Sequence, residues 1–113
     1  MVGRACVGLA LLMAWPASAQ APAWEACAGR IIILGQHSQA EGPLFTYWMT
    51  LSNPGMRPVR VEARLGDAPP PQAARIEAGR MQRLRLGEGA ERLSPTDIET
   101  ATRLRCQTIP TQP

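Results

Sequence analysis

The chain has no lysine and one each of histidine, tyrosine, phenylalanine and asparagine among its 113 residues, and these shortages narrow what it can do. With His37 as the single imidazole, a Ser-His-Asp or Cys-His arrangement has one candidate base, and no nucleophile-elbow motif accompanies it. Carboxylates fare no better: Glu88 and Glu91 stand in a Gly-flanked segment where solvated acids are the default. A protein that is not an enzyme and carries no cofactor is therefore expected. All twelve basic residues are arginine. Arginine suits bidentate carboxylate or phosphate binding, yet the bias travels with an excess of Ala, Pro and Gly, which a GC-rich coding sequence explains.

An apolar run of about 20 residues, the length that spans a bilayer, is also missing. The longest apolar stretch, Ala5 to Trp15, follows Arg4, is broken by Pro16 and precedes the small residues Ala17-Ser18-Ala19. That order is an export signal, with the cut placed before Gln20. Neither Cys6 nor Cys27 follows a lipid-attachment triplet. Residues 1–19 are thus expected to leave, and residues 20–113 to form one periplasmic or secreted domain with no stable membrane insertion. Loss of Arg4 leaves eleven Arg against nine acids, a formal charge of +2, too slight to point to nucleic acid as a partner.

Two cysteines survive this cleavage, Cys27 and Cys106, one near each end of the domain and without the C-x-x-C spacing of metal or redox sites. A disulfide between them is expected. Closing a loop of roughly 80 residues stabilises a small domain by about 4 kcal/mol in the chain-entropy model, where a core of this size is only marginally sufficient. A soft-metal site would draw on His37, Met49, Met56 and Met81, but a blue-copper centre needs two His and a Cys, so no metal ligand is assigned.

Residues 30–35, with Ile31-Ile32-Ile33-Leu34 bounded by Gly29 and Gly35, read as a strand buried on both sides, and 36–43 as a polar loop. From Leu44 to Asn53, Phe45, Tyr47, Met49 and Leu51 share one face and Thr46, Trp48 and Thr50 the other, as in a central strand. Asn53-Pro54-Gly55 is turn chemistry, and Val59, Val61, Ala63 and Leu65 then alternate with Arg60, Glu62 and Arg64, a half-exposed strand hairpinned to the one before. Pro69-Pro70-Pro71 reads as a stiff link between two sheets. Residues 73–77 and 80–86 read as two short strands about Ala78-Gly79, the second with Leu84 and Leu86 inward. Ser94-Pro95-Thr96-Asp97 reads as the capped start of a short helix ending near Ala101. Leu104 and Cys106 alternate with Arg103, Arg105 and Gln107 in a closing strand, and the last residues read as a frayed tail. Short strands at this spacing predict an all-β fold, a small antiparallel immunoglobulin-like sandwich with one helical turn, tied by its disulfide.

Several of these segments occur in a known order: Arg30-Ile31-Ile32-Ile33, a strand ending Thr50-Leu51-Ser52-Asn53, the proline run, and Ile76-Glu77-Ala78-Gly79-Arg80 leading to Leu84-Arg85-Leu86. Over residues 30–86 the chain resembles the N-terminal domain of periplasmic pilus chaperones. The resemblance implies the sandwich fold and places Arg30 where those chaperones anchor a subunit's terminal carboxylate. The partner Lys and the second domain that complete that cleft have no counterpart in this sequence. True immunoglobulin domains are a poorer match, because Leu104 stands where their tyrosine precedes the second cysteine.

The function expected is protein–protein interaction, or a structural accessory role in the cell envelope, with another envelope protein as partner. Two alternatives stay open: a chaperone-like binder that adds a partner's strand to the first strand, with Arg30 taking a carboxylate, and a His/Met soft-metal module. For the first strand, an interior position with Arg30 as a solvated start is the simpler reading. Thiol labelling of the denatured, unreduced mature protein should find no free cysteine, and two labelled thiols would show that Cys27 and Cys106 are unpaired.

Overall fold

A computed structural model describes residues 23–67 and 70–109. The segment read as an export signal, residue Pro69 and the end of the tail lie outside these residues. Apolar and polar residues alternate most cleanly in β4 (Val59–Leu65), where Val59, Val61, Ala63 and Leu65 are buried and Arg60 and Arg64 exposed. Period-two alternation puts one face of a strand against a core. The same rule orders β3 (Leu44–Ser52), whose Tyr47, Met49 and Leu51 face inward, and β6 (Met81–Gly89), whose Leu84 and Leu86 do.

Among the described residues seven strands form two antiparallel sheets. The order in the first is β1 (Glu25–Ala26), β7 (Thr102–Thr108), β4, β5 (Gln72–Ile76), and in the second β2 (Ile32–Glu41), β3, β6. Their inner faces meet in one core holding Met49, Leu51, Val61, Ile76, Leu86 and Cys106, and helix α1 (Pro95–Ala101) contributes Ile98. This is the layered immunoglobulin-like architecture the alternation predicts, with a strand order of its own. The helix begins as read from sequence: Ser94 is the N-cap, its hydroxyl accepts from the Asp97 amide at 3.1 Å, and Pro95 occupies the first turn. Cys27 and Cys106 are disulfide-bonded across 79 residues, joining the start of the β1–β2 connection to β7.

The connections differ from the sequence reading in an informative way. Asn53-Pro54-Gly55 does not close a hairpin: β3 and β4 belong to different sheets, so this turn is a crossover. The proline segment does not link two sheets: it joins β4 to β5, direct neighbours with Ala63 opposite Gln72. Prolines fit there because a loop needs no ladder donors. A turn's composition encodes its local bend, whereas the sheet that receives the next strand is decided by burial elsewhere.

Residues 36–43 are not a loop. Strand β2 runs on to Glu41, and a two-residue turn, Gly42-Pro43, returns it to β3, with Gly42 at φ 62°, the left-handed first position that favours glycine. The polar half of β2 stays in register because Ser38, facing inward, exchanges hydrogen bonds with the backbone of Leu93 at 2.7 and 3.0 Å. Nor is the apolar half buried on both sides. Ile31 and Ile33 pack on the core, while Ile32 and Leu34 are 49% and 50% exposed, because β2 pairs with β3 alone. Strand β6 likewise continues past Leu86 to Gly89, through a register shift at Gly87.

Asn53 is the buried polar hub. Its side-chain amide donates to the carbonyls of Arg57 (2.7 Å) and Ile76 (2.9 Å), and its Oδ1 accepts from the Gly55 amide at 3.0 Å. Its backbone pairs with Arg80 and Gly79 at 2.9 and 2.8 Å. Asn53→Ala would strand the buried Ile76 carbonyl and should lower the unfolding free energy by about 2–3 kcal/mol. Urea unfolding should show a lower midpoint at unchanged slope, and an unchanged midpoint would show that the hub is dispensable.

Candidate functional site

A strand with one neighbour leaves half its backbone donors and acceptors without a ladder partner, so sheet edges are where a sandwich meets other chains. The four edges here are unequal. Strand β1 is two residues long, β5 follows Pro70-Pro71 and carries Arg75, and β6 carries Arg83, Arg85 and Glu88. Strand β2 is ten residues long and has no Asp, Glu, Lys or Arg between Ile32 and Ala40. Its second half lies beside the segment leading into α1, tied through Ser38 to Leu93. Among the described residues, its first half has no backbone hydrogen bond beyond those to β3.

The outer face of this sheet is graded. Register places Ile32, Ser52 and Met81 in one row, with Met81 67% exposed. The β-bulge between Ile33 and Gly35 adds exposed Leu34 beside them. The next rows are Gly35-Thr50-Arg83 and His37-Trp48-Arg85. The Arg83 guanidinium lies 4.1 Å from the centre of the Trp48 ring, a cation–π contact that covers the indole, and Trp48 Nε1 is buried without an acceptor. At the far end the face is polar: Thr46 donates to Glu41 at 2.6 Å, and Arg85 pairs with Glu88 at 2.6 Å. One end of the face is thus apolar and open, and the other closed by ion pairing.

Arg30 occupies the turn that leads into β2. Its Nη2 is ion-paired with Glu25, whereas its Nη1 has no hydrogen-bond partner. With Asn53, Met56, Val59 and Thr108 it lines a concavity of about 220 Å³ below the apolar end of the sheet. This places a guanidinium, ion-paired through one nitrogen and with the other buried, next to the start of the open edge.

The soft-metal candidates are dispersed. Met49 is in the core, on the opposite face of the sheet from His37, and Met56 is exposed in the β3–β4 turn. Met81 shares the outer face with His37 but stands two rows away, about 13 Å along the strands. Among the described residues no three His, Cys, Asp or Glu side chains cluster as metal ligands. Trp48, on the less apolar face of β3, is the centre of the outer face, and residue alternation along β3 gives no sign of its arginine cover. The cross-strand position of Arg83 two residues before Arg85 carried that signal only once β3 and β6 were known to pair.

No protein-family model, curated protein or solved structure matches the chain. In a Trp24→Phe background Trp48 is the one tryptophan after residue 19. There, Arg83→Ala should shift its emission to longer wavelength and cost about 0.5–1 kcal/mol. An unchanged spectrum would mean that the guanidinium does not shield the ring.

Proposed function

We propose that the chain is an exported, non-catalytic binding protein of the cell envelope, periplasmic or secreted, which holds an extended segment of another protein as an added strand beside β2. The observation that carries this reading is the contrast among the four edges: the first half of β2 alone combines an unpaired edge, exposed apolar side chains and freedom from charge. Backbone hydrogen bonds to the Ile32–Gln36 stretch supply affinity in such binding, and side chains at alternate positions supply selection. Ile32 and Leu34 offer the apolar contact, and Arg30 stands ready to exchange Glu25 for a partner's carboxylate, a charge-assisted pairing for which guanidinium geometry is suited. The disulfide supports an oxidising location. No helix among the described residues is long and apolar enough to cross a membrane.

The test uses a peptide of alternating Val and Thr with a free carboxyl terminus, followed by amide exchange. Binding should newly protect amides in Ile32–Gln36 and leave β6 unchanged. Leu34→Lys should weaken it about tenfold, the equivalent of burying part of one aliphatic side chain. Arg30→Gln and amidation of the peptide terminus should weaken it to the same extent and not additively. If the Ile32–Gln36 amides are already as protected in the free protein as those of β3, or if protection appears at β6 instead, the reading fails.

A further inference from the structure

The opposite sheet carries a different surface. The outward residues of its three long strands are Arg60, Glu62 and Arg64 on β4, Ala73 and Arg75 on β5, and Arg103, Arg105 and Gln107 on β7. Five arginines therefore share a face with Glu62, and Glu77 follows Arg75 at the end of β5, against a formal charge of +3 for the whole chain. Register sets Arg60 directly opposite Arg75 and Arg64 directly opposite Arg103. Like charges at directly opposed positions are destabilising, so this sheet carries two unfavourable pairs that the core does not require.

Internal acids relieve them only in part. Glu62 is taken by Arg105, whose Nε donates to it at 3.0 Å and whose Nη2 donates as well, and Arg75 turns its Nε to Glu77 at the end of its strand. Among the described residues Arg64 reaches only the Asp67 carbonyl, at 3.2 Å. Arg60 and Arg103 have no hydrogen bond or ion pair among the described residues. Each opposed pair borders a shallow concavity, of about 280 Å³ beside Arg60 and Arg75 and about 450 Å³ beside Arg64 and Arg103.

We propose that this face docks on the anionic headgroups of a phospholipid bilayer. The two arginine pairs lie on either side of the Glu62–Arg105 bridge, about 13 Å apart along β4, each beside its own concavity. Phosphates spread over a plane match such a two-dimensional array of guanidinium groups. Trp24 stands at the β1 side of the face with the Arg105 guanidinium 5.3 Å from its ring centre. Tryptophan favours the headgroup level of a membrane. Nucleic acid is not the polyanion of the oxidising compartment that a disulfide needs. Contact is peripheral and electrostatic, in keeping with the absence of a crossing helix among the described residues. This surface is independent of the β2 edge, and either can fail without the other.

Co-sedimentation with vesicles tests it. The mature protein should bind vesicles of equal parts phosphatidylglycerol and phosphatidylcholine, lose that binding as salt rises, and ignore pure phosphatidylcholine. Each arginine near an anionic surface contributes about fivefold, so Arg60→Gln/Arg64→Gln/Arg103→Gln should weaken binding about a hundredfold. Its thermal midpoint should stay level or rise, because the opposed charges are relieved, which separates lost binding from lost folding. The charge-matched variant Arg57→Gln/Arg80→Gln/Arg92→Gln should keep most of the affinity. Equal loss in both variants, equal binding to neutral vesicles, or binding to poly-glutamate without binding to vesicles would each overturn the proposal, the last in favour of an acidic protein partner.

Discussion

Five hydrogen bonds converge on Asn53, and the two-sheet arrangement depends on them. The β3–β4 and β5–β6 connections both cross between sheets, and both pass this residue: its side chain holds the first against Arg57 and Gly55 and reaches across to Ile76, while its backbone holds Gly79 and Arg80. A buried amide is costly unless its donors and acceptor are met. Because all are met only when the two crossovers lie side by side, the hub selects that arrangement as well as stabilising it. A third crossing, from β1 to β2, is secured by other means. The Cys27 carbonyl accepts from the amides of Arg30 and Ile31, and the disulfide holds Cys27 to β7.

At the other end, tyrosine does comparable work. The Tyr47 hydroxyl donates to the Glu91 carbonyl, and a Cβ on Gly89 would fall 2.6 Å from that hydroxyl, so glycine makes room for the ring. Ser38 binds the backbone of Leu93, and Thr102 donates to the Ile98 carbonyl at 2.6 Å as α1 passes into β7. The segment from β6 to α1 is thereby drawn toward the second half of β2, and the first half remains uncovered. The open edge is thus a by-product of where the last crossover runs.

The two outer faces have contrasting chemistry. One is an arginine array with a single central acid; the other grades from exposed Ile32, Leu34 and Met81 to a polar, ion-paired end. Since they lie on opposite sides of one core, a molecule resting on its basic face would keep the β2 edge accessible. The proposed activities therefore need not compete for surface, and the Cys27–Cys106 bond, which ties the residue after β1 to β7, stabilises the scaffold common to both.

Local chemistry in the sequence determined the all-β class, the inward faces of β3, β4 and β6 and the capped helix at Ser94, because each follows from side-chain alternation or a cap within a few residues; the cysteine pairing followed instead from counting the cysteines expected to remain after signal cleavage. Tertiary structure alone decided that Asn53-Pro54-Gly55 changes sheets, that the proline segment stays within one, and that the Ile-rich strand is an edge with a polar extension through Ser38. These outcomes turn on which strand lies beside which, a contest among distant burial choices that leaves no local mark. The same holds for both candidate surfaces. Arg60, Arg75, Arg64 and Arg103 are scattered in the chain and become opposed pairs through register, and Ile32 and Leu34 are exposed because they face away from the core on a strand with no neighbour beyond it among the described residues.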